Sequence, residues 1–148
     1  MKLTQKNYYT AKANQSFMSV SQFKDFLKCP AMAMAKLSGE YEQEKSRALI
    51  LGSYVDEMLT GSAKSRDTFI VENYDELFKR GGSPYADVAQ AQETIDRVKK
   101  QPLMMRYLSG KHQKIMTGEI EGVPFKIKMD SFDQNEYIAD LKYMASLR

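Results

Sequence analysis

The stretch "KIMTGEIEGVPFKIKMDSFDQNEYIADLKY", residues 114–143, alternates apolar and polar side chains with a period of two. That period is typical of pleated strands, whose side chains point to opposite faces in turn. Turn-forming residues divide the stretch at Glu121 and Gly122 and again at residues 133–135. The sequence therefore predicts three short strands, arranged as an antiparallel hairpin or meander.

The second and third of these strands each gather their charged residues on one face. One face of the second strand carries Lys126, Lys128 and Asp130, and one face of the third carries Ile138, Asp140 and Lys142; the opposite faces carry Phe125, Ile127 and Met129, and Tyr137, Ala139 and Leu141. Two interpretations of Lys126 and Lys128 are open. They form the exposed face of an edge strand, where lysines limit aggregation, or they contact a DNA backbone.

The two aspartates on adjacent strands are candidates for a metal site. Asp130 ends one strand and Asp140 lies past the middle of the next, so we expect twist or a bulge to bring them together. Two carboxylates, a main-chain carbonyl and water make an oxygen cage suited to Mg²⁺ or Mn²⁺. Lys142, about 6.5 Å along the strand from Asp140, could orient a water or neutralise a phosphate there.

A plainer explanation of the same triplet stays open. An acid-x-Lys triplet arises easily by chance in a chain with 19 acidic residues. Asp140 and Lys142 would then form a solvated ion pair, which contributes only about 0 to 1 kcal/mol to stability.

The N-terminal two thirds of the chain show mainly the helical period. Ser19, with Gln22 three residues later, predicts a capped helix that Pro30 ends or follows with a second short helix closed by Gly39. Further helices are predicted over residues 46–61 and 85–110, the latter interrupted by Pro102, and residues 40–46 form a charged link. A short strand is expected at residues 69–71 and an exposed loop at "RGGSP", residues 80–84.

Composition narrows the function classes. The chain has 148 residues and a net charge of +3, and we expect one domain over residues 1–148. No apolar run is long enough for a bilayer and no secretory leader is visible, so we expect a cytoplasmic protein without a membrane partner. Cys29 and His112 are single, which excludes a zinc finger or an iron–sulfur cluster held by one chain. We expect oxygen ligands for any metal, and a solvated loop position for His112.

Three motifs together resemble a known superfamily. A strand ending in "KMD", a short turn and the strand "IADLK" resemble the signature of the PD-(D/E)XK nucleases. "MSVSQFKDFLKCPAMAMAKL" is similar to the helix that opens the RecB-like and RecE-like branch, and "ALILGSYVDEML" is similar to its next helix. The likeness to phage and prophage RecE-like exonucleases extends over nearly the whole chain.

This resemblance implies a restriction-endonuclease-like α/β fold, with N-terminal helices leading into the antiparallel strands. It implies that Asp130, Asp140 and the Leu141 carbonyl bind the metal, that Lys142 is the catalytic lysine, and that Asp56 stands where many relatives have a histidine ligand. The implied function is a Mg²⁺-dependent or Mn²⁺-dependent DNA exonuclease in phage recombination. Such relatives act with a single-strand annealing recombinase and assemble as homo-oligomeric rings.

The sequence departs from the family pattern in two places. Asp56 cannot act as a neutral imidazole, and the chain ends at Arg148, where the family continues with a Gln-x-x-x-Tyr helix. We therefore expect either an N-terminal portion of a larger nuclease or a truncated relative, with an incomplete sheet and impaired activity. Two rival functions remain: a DNA-binding or assembly module that no longer cuts, and a structural phage protein in which Asp140 and Lys142 form only a surface ion pair.

Overall fold

The computed structural model describes residues 1–41 and 44–144. The elements in this part of the chain are α1 (Ala11–Ser16), α2 (Val20–Lys28), α3 (Pro30–Ser38), α4 (Arg47–Thr60), α5 (Ala63–Glu72), α6 (Tyr74–Leu77), α7 (Ala86–Lys99), α8 (Pro102–Leu108), β1 (Lys111–Ile120), β2 (Val123–Asp133) and β3 (Tyr137–Ala139). The strands form one antiparallel sheet in the order β1-β2-β3. The predicted mixed α/β class is confirmed. Residues 42–43 of the charged link, and Arg148, lie outside the described residues.

The chain divides into two compact units. The first unit contains residues 1–44 and 113–129, and the second contains residues 45–112 and those from 130 onward. No helix in the described part of the chain is long and apolar enough to cross a membrane.

In the first unit, local signals set the helix boundaries as predicted. The Ser19 hydroxyl accepts a hydrogen bond from the Gln22 amide at 3.3 Å, and the Gln22 side chain accepts one from the Ser19 amide at 2.8 Å. This reciprocal pair satisfies two amides at the start of α2. Pro30 opens α3, and Gly39 ends it in the left-handed conformation, with φ of 81°.

Met18, just before α2, is hydrogen-bonded to β2 within the first unit. Its amide donates to the Pro124 carbonyl at 2.8 Å, and its carbonyl accepts from the Lys126 amide at 2.9 Å. The two bonds form a parallel bridge opposite Phe125. The start of α2 is therefore anchored to the sheet, a long-range contact that the helical period did not predict.

Lys126 is buried, so the expected exposed face on β2 is wrong at this position. Its side chain is only 1% exposed. Its ammonium donates to the Tyr8 carbonyl and to Asn14 Oδ1, both at 2.6 Å. Burial lowers the pKa of Lys126 because it disfavours the charged form. Because the Lys126 ammonium is bonded inside the protein, it does not face a DNA phosphate. Lys128, by contrast, is partly exposed to solvent.

The second unit is built around one apolar core. Its buried members are Ile50, Leu51, Tyr54, Val55, Met58, Leu59, Leu77, Val88, Ala91, Ile95 and Leu108. Helices α4 and α7 contribute most of them, and the Tyr54 hydroxyl donates to Gln92 Oε1 at 2.8 Å between these helices. Both helices lie where the sequence predicted them.

The strand expected at residues 69–71 is wrong, because this segment belongs to helix α5. Ser62 caps the helix by accepting a hydrogen bond from the Ser65 amide at 3.1 Å. Phe69 and Ile70 then pack against the core. Capping and tertiary burial outweigh the strand propensity of three consecutive β-favouring residues.

Arg47 joins the starts of α4 and α7 in the second unit. Its guanidinium donates two parallel bonds to Asp87, at 2.7 and 2.6 Å, and a third to the Glu76 carbonyl. The hydrogen bond from Arg47 lowers the pKa of Asp87. These two bonds attach the first residue of α4, the helix that carries Asp56, to the first turn of α7.

The β1–β2 connection is the predicted two-residue turn. Glu121 and Gly122 have φ of 49° and 79°. Positive φ at both central residues is the type I′ geometry, which suits the twist of paired antiparallel strands. The hairpin prediction is confirmed.

Gly110 brings the end of α8 against β2 in the second unit. Its amide donates to the buried Ser131 hydroxyl at 3.0 Å. A Cβ at Gly110 would lie 2.7 Å from Ser131 Oγ and 2.8 Å from the Phe132 carbonyl oxygen. Only glycine allows this approach, which occurs directly after Asp130.

We predict that Gly110→Ala lowers the free energy of unfolding by about 1–3 kcal/mol, because the added methyl group overlaps fixed backbone. Urea denaturation measures the change. Gly118→Ala on β1 is the matched control, since a Cβ there meets no atom within 4 Å. An equal loss in both variants would contradict the close-approach explanation.

Candidate functional site

The pairing register of β2 with β3 places the two candidate aspartates opposite each other. Ser131 pairs with Ala139, and Asp133 pairs with Tyr137. One further step along both chains sets Asp130 opposite Asp140. This register leaves no offset along the strands for twist or a bulge to close, because the turn of residues 134–136 takes up the intervening length.

This turn is held by Asp133. Its Oδ1 accepts hydrogen bonds from the amides of Asn135 and Glu136, at 2.9 and 3.1 Å. Such a side-chain bond to amides two and three residues later stabilises a tight turn. The register that brings the aspartates together is thus fixed locally.

The residues that follow β3 are held to β2 by the Asp130 side chain instead of by backbone pairing between strands. Strand β3 ends at Ala139, so Asp140 and Lys142 lie beyond it, not within a long third strand as expected. The Leu141 amide donates to Asp130 Oδ2 at 2.8 Å, and Leu141 and Tyr143 pack against the core. Side chains therefore continue to alternate between core and solvent beyond the end of β3. Asp140 and Lys142 lie on the solvent side.

The ionised form of Asp130 is disfavoured by its surroundings, which raise its pKa. Burial raises its pKa most, and the Leu141 amide acts in the opposite direction. The charge of Asp140 and a hydrogen bond between the two carboxyl groups raise the pKa further. Two carboxyl groups in contact repel each other unless a proton or a cation lies between them. The pair therefore favours binding of a cation.

Asp56 on α4 adds a third carboxyl group to this environment. Burial raises its pKa, and the negative charge of Asp130 raises it further. The Thr60 hydroxyl, 3.1 Å from Asp56 Oδ1, partly offsets these effects. Asp130 therefore interacts electrostatically with each of the two other acidic residues that the sequence singled out, Asp56 and Asp140.

Lys142 is paired with Asp140. Its ammonium lies 2.6 Å from Asp140 Oδ2, and this bond raises the pKa of Lys142. The two side chains are 71% and 58% exposed, so the pair contributes at most about 1 kcal/mol to stability. The surface ion pair of the plainer explanation is present, but it does not account for Asp130 and Asp56 beside it.

His112 lies at this site, although the sequence indicated a solvated loop. It is the second residue of β1, and its Nδ1 is 3.2 Å from the Asp130 carbonyl oxygen. Because that oxygen only accepts hydrogen bonds, Nδ1 carries the proton in this contact. The charge of His112 also lowers the pKa of Asp56. Counting back along both strands from the two-residue turn would have indicated this position.

The donor set suits a hard divalent cation in its chemistry. Carboxylate and carbonyl oxygens of Asp130, Asp140 and Leu141 are the ligands that Mg²⁺ and Mn²⁺ prefer. Among residues 1–41 and 44–144, no three or more His, Cys, Asp or Glu residues are gathered as a group that could hold a metal ion. The contact that fits is the pair of Asp130 with Asp140, and Asp56 interacts with it through charge.

Comparisons with known proteins found two similarities for this chain. Residues 19–148 match the family described as "PDDEXK-like domain of unknown function (DUF3799)". A crystal structure described as "Putative exonuclease" from Eubacterium rectale is 45% identical, with a TM-score of 0.90. The match covers 99% of this chain and 56% of that one, so this chain spans a little over half of its length. A search of curated proteins found no match. Both similarities support a nuclease function and confirm the resemblance stated from the sequence motifs.

We predict that Asp130→Asn increases the free energy of unfolding at pH 7 by about 0.5–2 kcal/mol. The raised pKa means that the charged form is disfavoured in the folded state. That cost is therefore present above the ordinary carboxyl pKa of 3.8 and absent below it. Denaturation at pH 7 and at pH 3 should show the gain only at pH 7.

Asp133→Asn is the matched control on the same strand, where the carboxylate accepts two turn amides. It should not stabilise the protein at either pH. A loss of stability in Asp130→Asn at pH 7 would contradict the electrostatic account of Asp130.

Proposed function

The chain belongs to the family of PDDEXK-like domains, and from that membership we propose that it is a metal-dependent nuclease that hydrolyses DNA phosphodiester bonds. More specifically, we propose exonucleolytic cleavage with Mg²⁺ or Mn²⁺ in phage or prophage recombination. The observation that carries the proposal is the apposition of Asp130 and Asp140, with the Leu141 amide bonded to Asp130 at 2.8 Å. An exposed ammonium stands beside this pair.

Asp130, Asp140 and the main-chain carbonyl of Leu141 would hold the ion in this proposal, with Asp56 as a further ligand or a partner through water. When bound, a divalent cation polarises a phosphate oxygen and lowers the pKa of bound water. The repulsion between Asp130 and its acidic neighbours supports this assignment, since it makes cation binding favourable.

Lys142 acts in this proposal as a cation that binds phosphate. The hydrogen bond to Asp140 raises the pKa of Lys142, which favours the protonated form. An exposed ammonium can donate to a phosphate oxygen and stabilise the charge that develops there during hydrolysis. Its pairing with Asp140 keeps it directed to the site before DNA arrives.

The rival function is a DNA-binding or assembly module that does not cut. The observation that favours it is the lack of a group of three metal-binding side chains in the described residues. A single-strand annealing recombinase as partner, assembly as a homo-oligomer and a cytoplasmic location belong to the proposal through the family resemblance. DNA contact by Lys128 also stays a prediction.

We predict that Asp140→Asn and Lys142→Ala each lower cleavage of linear duplex DNA in Mg²⁺ by about 10²–10³-fold. Each change removes a charge from an exposed position, so circular dichroism should show an unchanged fold. Glu136→Gln is the control, because it removes a surface carboxylate that pairs with Arg106 at 2.8 Å. Full activity in both site variants would exclude this site. Wild-type protein that binds DNA without cutting it would support the rival module.

We also predict that calorimetric titration with Mn²⁺ detects binding that Asp130→Asn abolishes and Asp56→Asn weakens. The measurement is independent of cleavage. Asp133→Asn should bind as the wild type does, since Asp133 serves the turn. Equal affinity in wild type and Asp130→Asn would remove Asp130 from the site.

A further inference from the structure

Tyr9 exposes an aromatic ring beside a buried one. Its side chain is 70% exposed, whereas the neighbouring Tyr8 is 6% exposed. The two rings meet edge to face, with centroids 4.9 Å apart and planes at 84°. Most of the Tyr9 ring is thus available to solvent although its neighbour is fixed in the first unit.

The backbone under these rings is held rigidly. The amides of Asn7 and Tyr8 both donate to the Thr4 carbonyl, at 3.2 and 3.0 Å. Thr10 then caps α1 by accepting from the Ala13 amide at 3.3 Å. An exposed ring on a fixed backbone loses little conformational entropy when a ligand stacks on it.

The buried ammonium of Lys126 anchors this segment to β2. It donates to the Tyr8 carbonyl at 2.6 Å and lies 4.6 Å from the centre of the Tyr8 ring. Burying an ammonium is costly, and an apolar side chain would fill the space without that cost. What the ammonium adds is a directed bond to the main chain of Tyr8, which fixes the residue next to Tyr9.

Lys128 places a cation against the exposed ring. Its ammonium lies 4.4 Å from the centre of the Tyr9 ring and 5.3 Å from that of Tyr8. Lys128 precedes Asp130 by two residues in the sequence. The Lys128 ammonium lies over the Tyr9 ring, and most of the surface of Tyr9 stays exposed. An exposed ring and a neighbouring cation are the two elements with which proteins bind single-stranded nucleic acid: a stacking surface and a phosphate contact.

We propose that Tyr9 and Lys128 form a binding surface for single-stranded DNA, in which the ring stacks on an unpaired base and the ammonium contacts a phosphate. The proposal rests on DNA as the substrate of the nuclease. It favours single strands over duplex because both faces of a paired base inside a duplex are covered by its neighbours. Stacking is independent of base identity, so the surface binds without sequence preference.

The test measures fluorescence anisotropy of a labelled single-stranded oligonucleotide and of a blunt duplex of equal length, in EDTA so that no cleavage occurs. Tyr9→Ala should weaken single-strand binding about tenfold and change duplex binding little. Tyr9→Phe, which keeps the ring, should bind as the wild type does. Lys128→Ala should weaken binding and reduce the slope of log K against log salt by about 0.7.

The matched controls are Tyr41→Ala and Lys24→Ala, an exposed tyrosine and an exposed lysine of the same unit. They should leave the affinity unchanged, and thermal melting should show Tyr9→Ala as stable as the wild type. The proposal is overturned if wild-type protein does not bind the single strand, if Tyr9→Ala binds equally well, or if Tyr9→Phe loses as much as Tyr9→Ala.

Separate cleavage assays keep this proposal distinct from the nuclease proposal. Binding that depends on Tyr9 without any cleavage would overturn the nuclease alone. Cleavage that depends on Asp140, with binding insensitive to Tyr9 and Lys128, would overturn the single-strand surface alone.

Discussion

The hydrogen bond from the Leu141 amide to the Asp130 carboxylate organises the candidate site. Strand pairing ends at Ala139, so this single bond continues the contact between the two segments at the point where the acidic residues meet. It also partly offsets the effect of burial, which raises the pKa of Asp130. Without this bond, the segment that carries Asp140 and Lys142 would lose its backbone attachment to Asp130 on β2. The bond therefore helps to keep Leu141 facing the core and Asp140 and Lys142 facing solvent.

The acidic residues of the candidate site repel one another when no cation is bound. Asp130 interacts with the charges of Asp56 and Asp140, and burial limits the solvation of Asp56 and Asp130. Rigid features elsewhere hold this arrangement, among them the close approach of Gly110 to β2 and the two-bond contact of Arg47 with Asp87. The contacts that stabilise this unit are thus made by residues other than the acidic residues of the candidate site, which is common where a fold keeps an unfavourable charge cluster.

Local patterns in the sequence were sufficient to predict much of this structure. The period of two, with a turn at Glu121 and Gly122, gave the hairpin, and Ser19 gave the start of a helix. Local patterns could not predict the surroundings of Lys126 and His112. Their partners, Asn14 and the Asp130 carbonyl, lie 112 and 18 residues away, and alternation along a strand does not reveal which face another segment covers.

The bond between Lys126 and Asn14 has a consequence for how this sequence can change over time. The two residues depend on each other across 112 positions, because losing the amide oxygen would leave a buried ammonium with one acceptor fewer. Single changes at either position are therefore disfavoured, and loss of Lys126 would also remove the donor to the Tyr8 carbonyl. Among diverging relatives, these two positions should be inherited as a linked pair, which ties the N-terminal segment to the hairpin in evolution as well as in space.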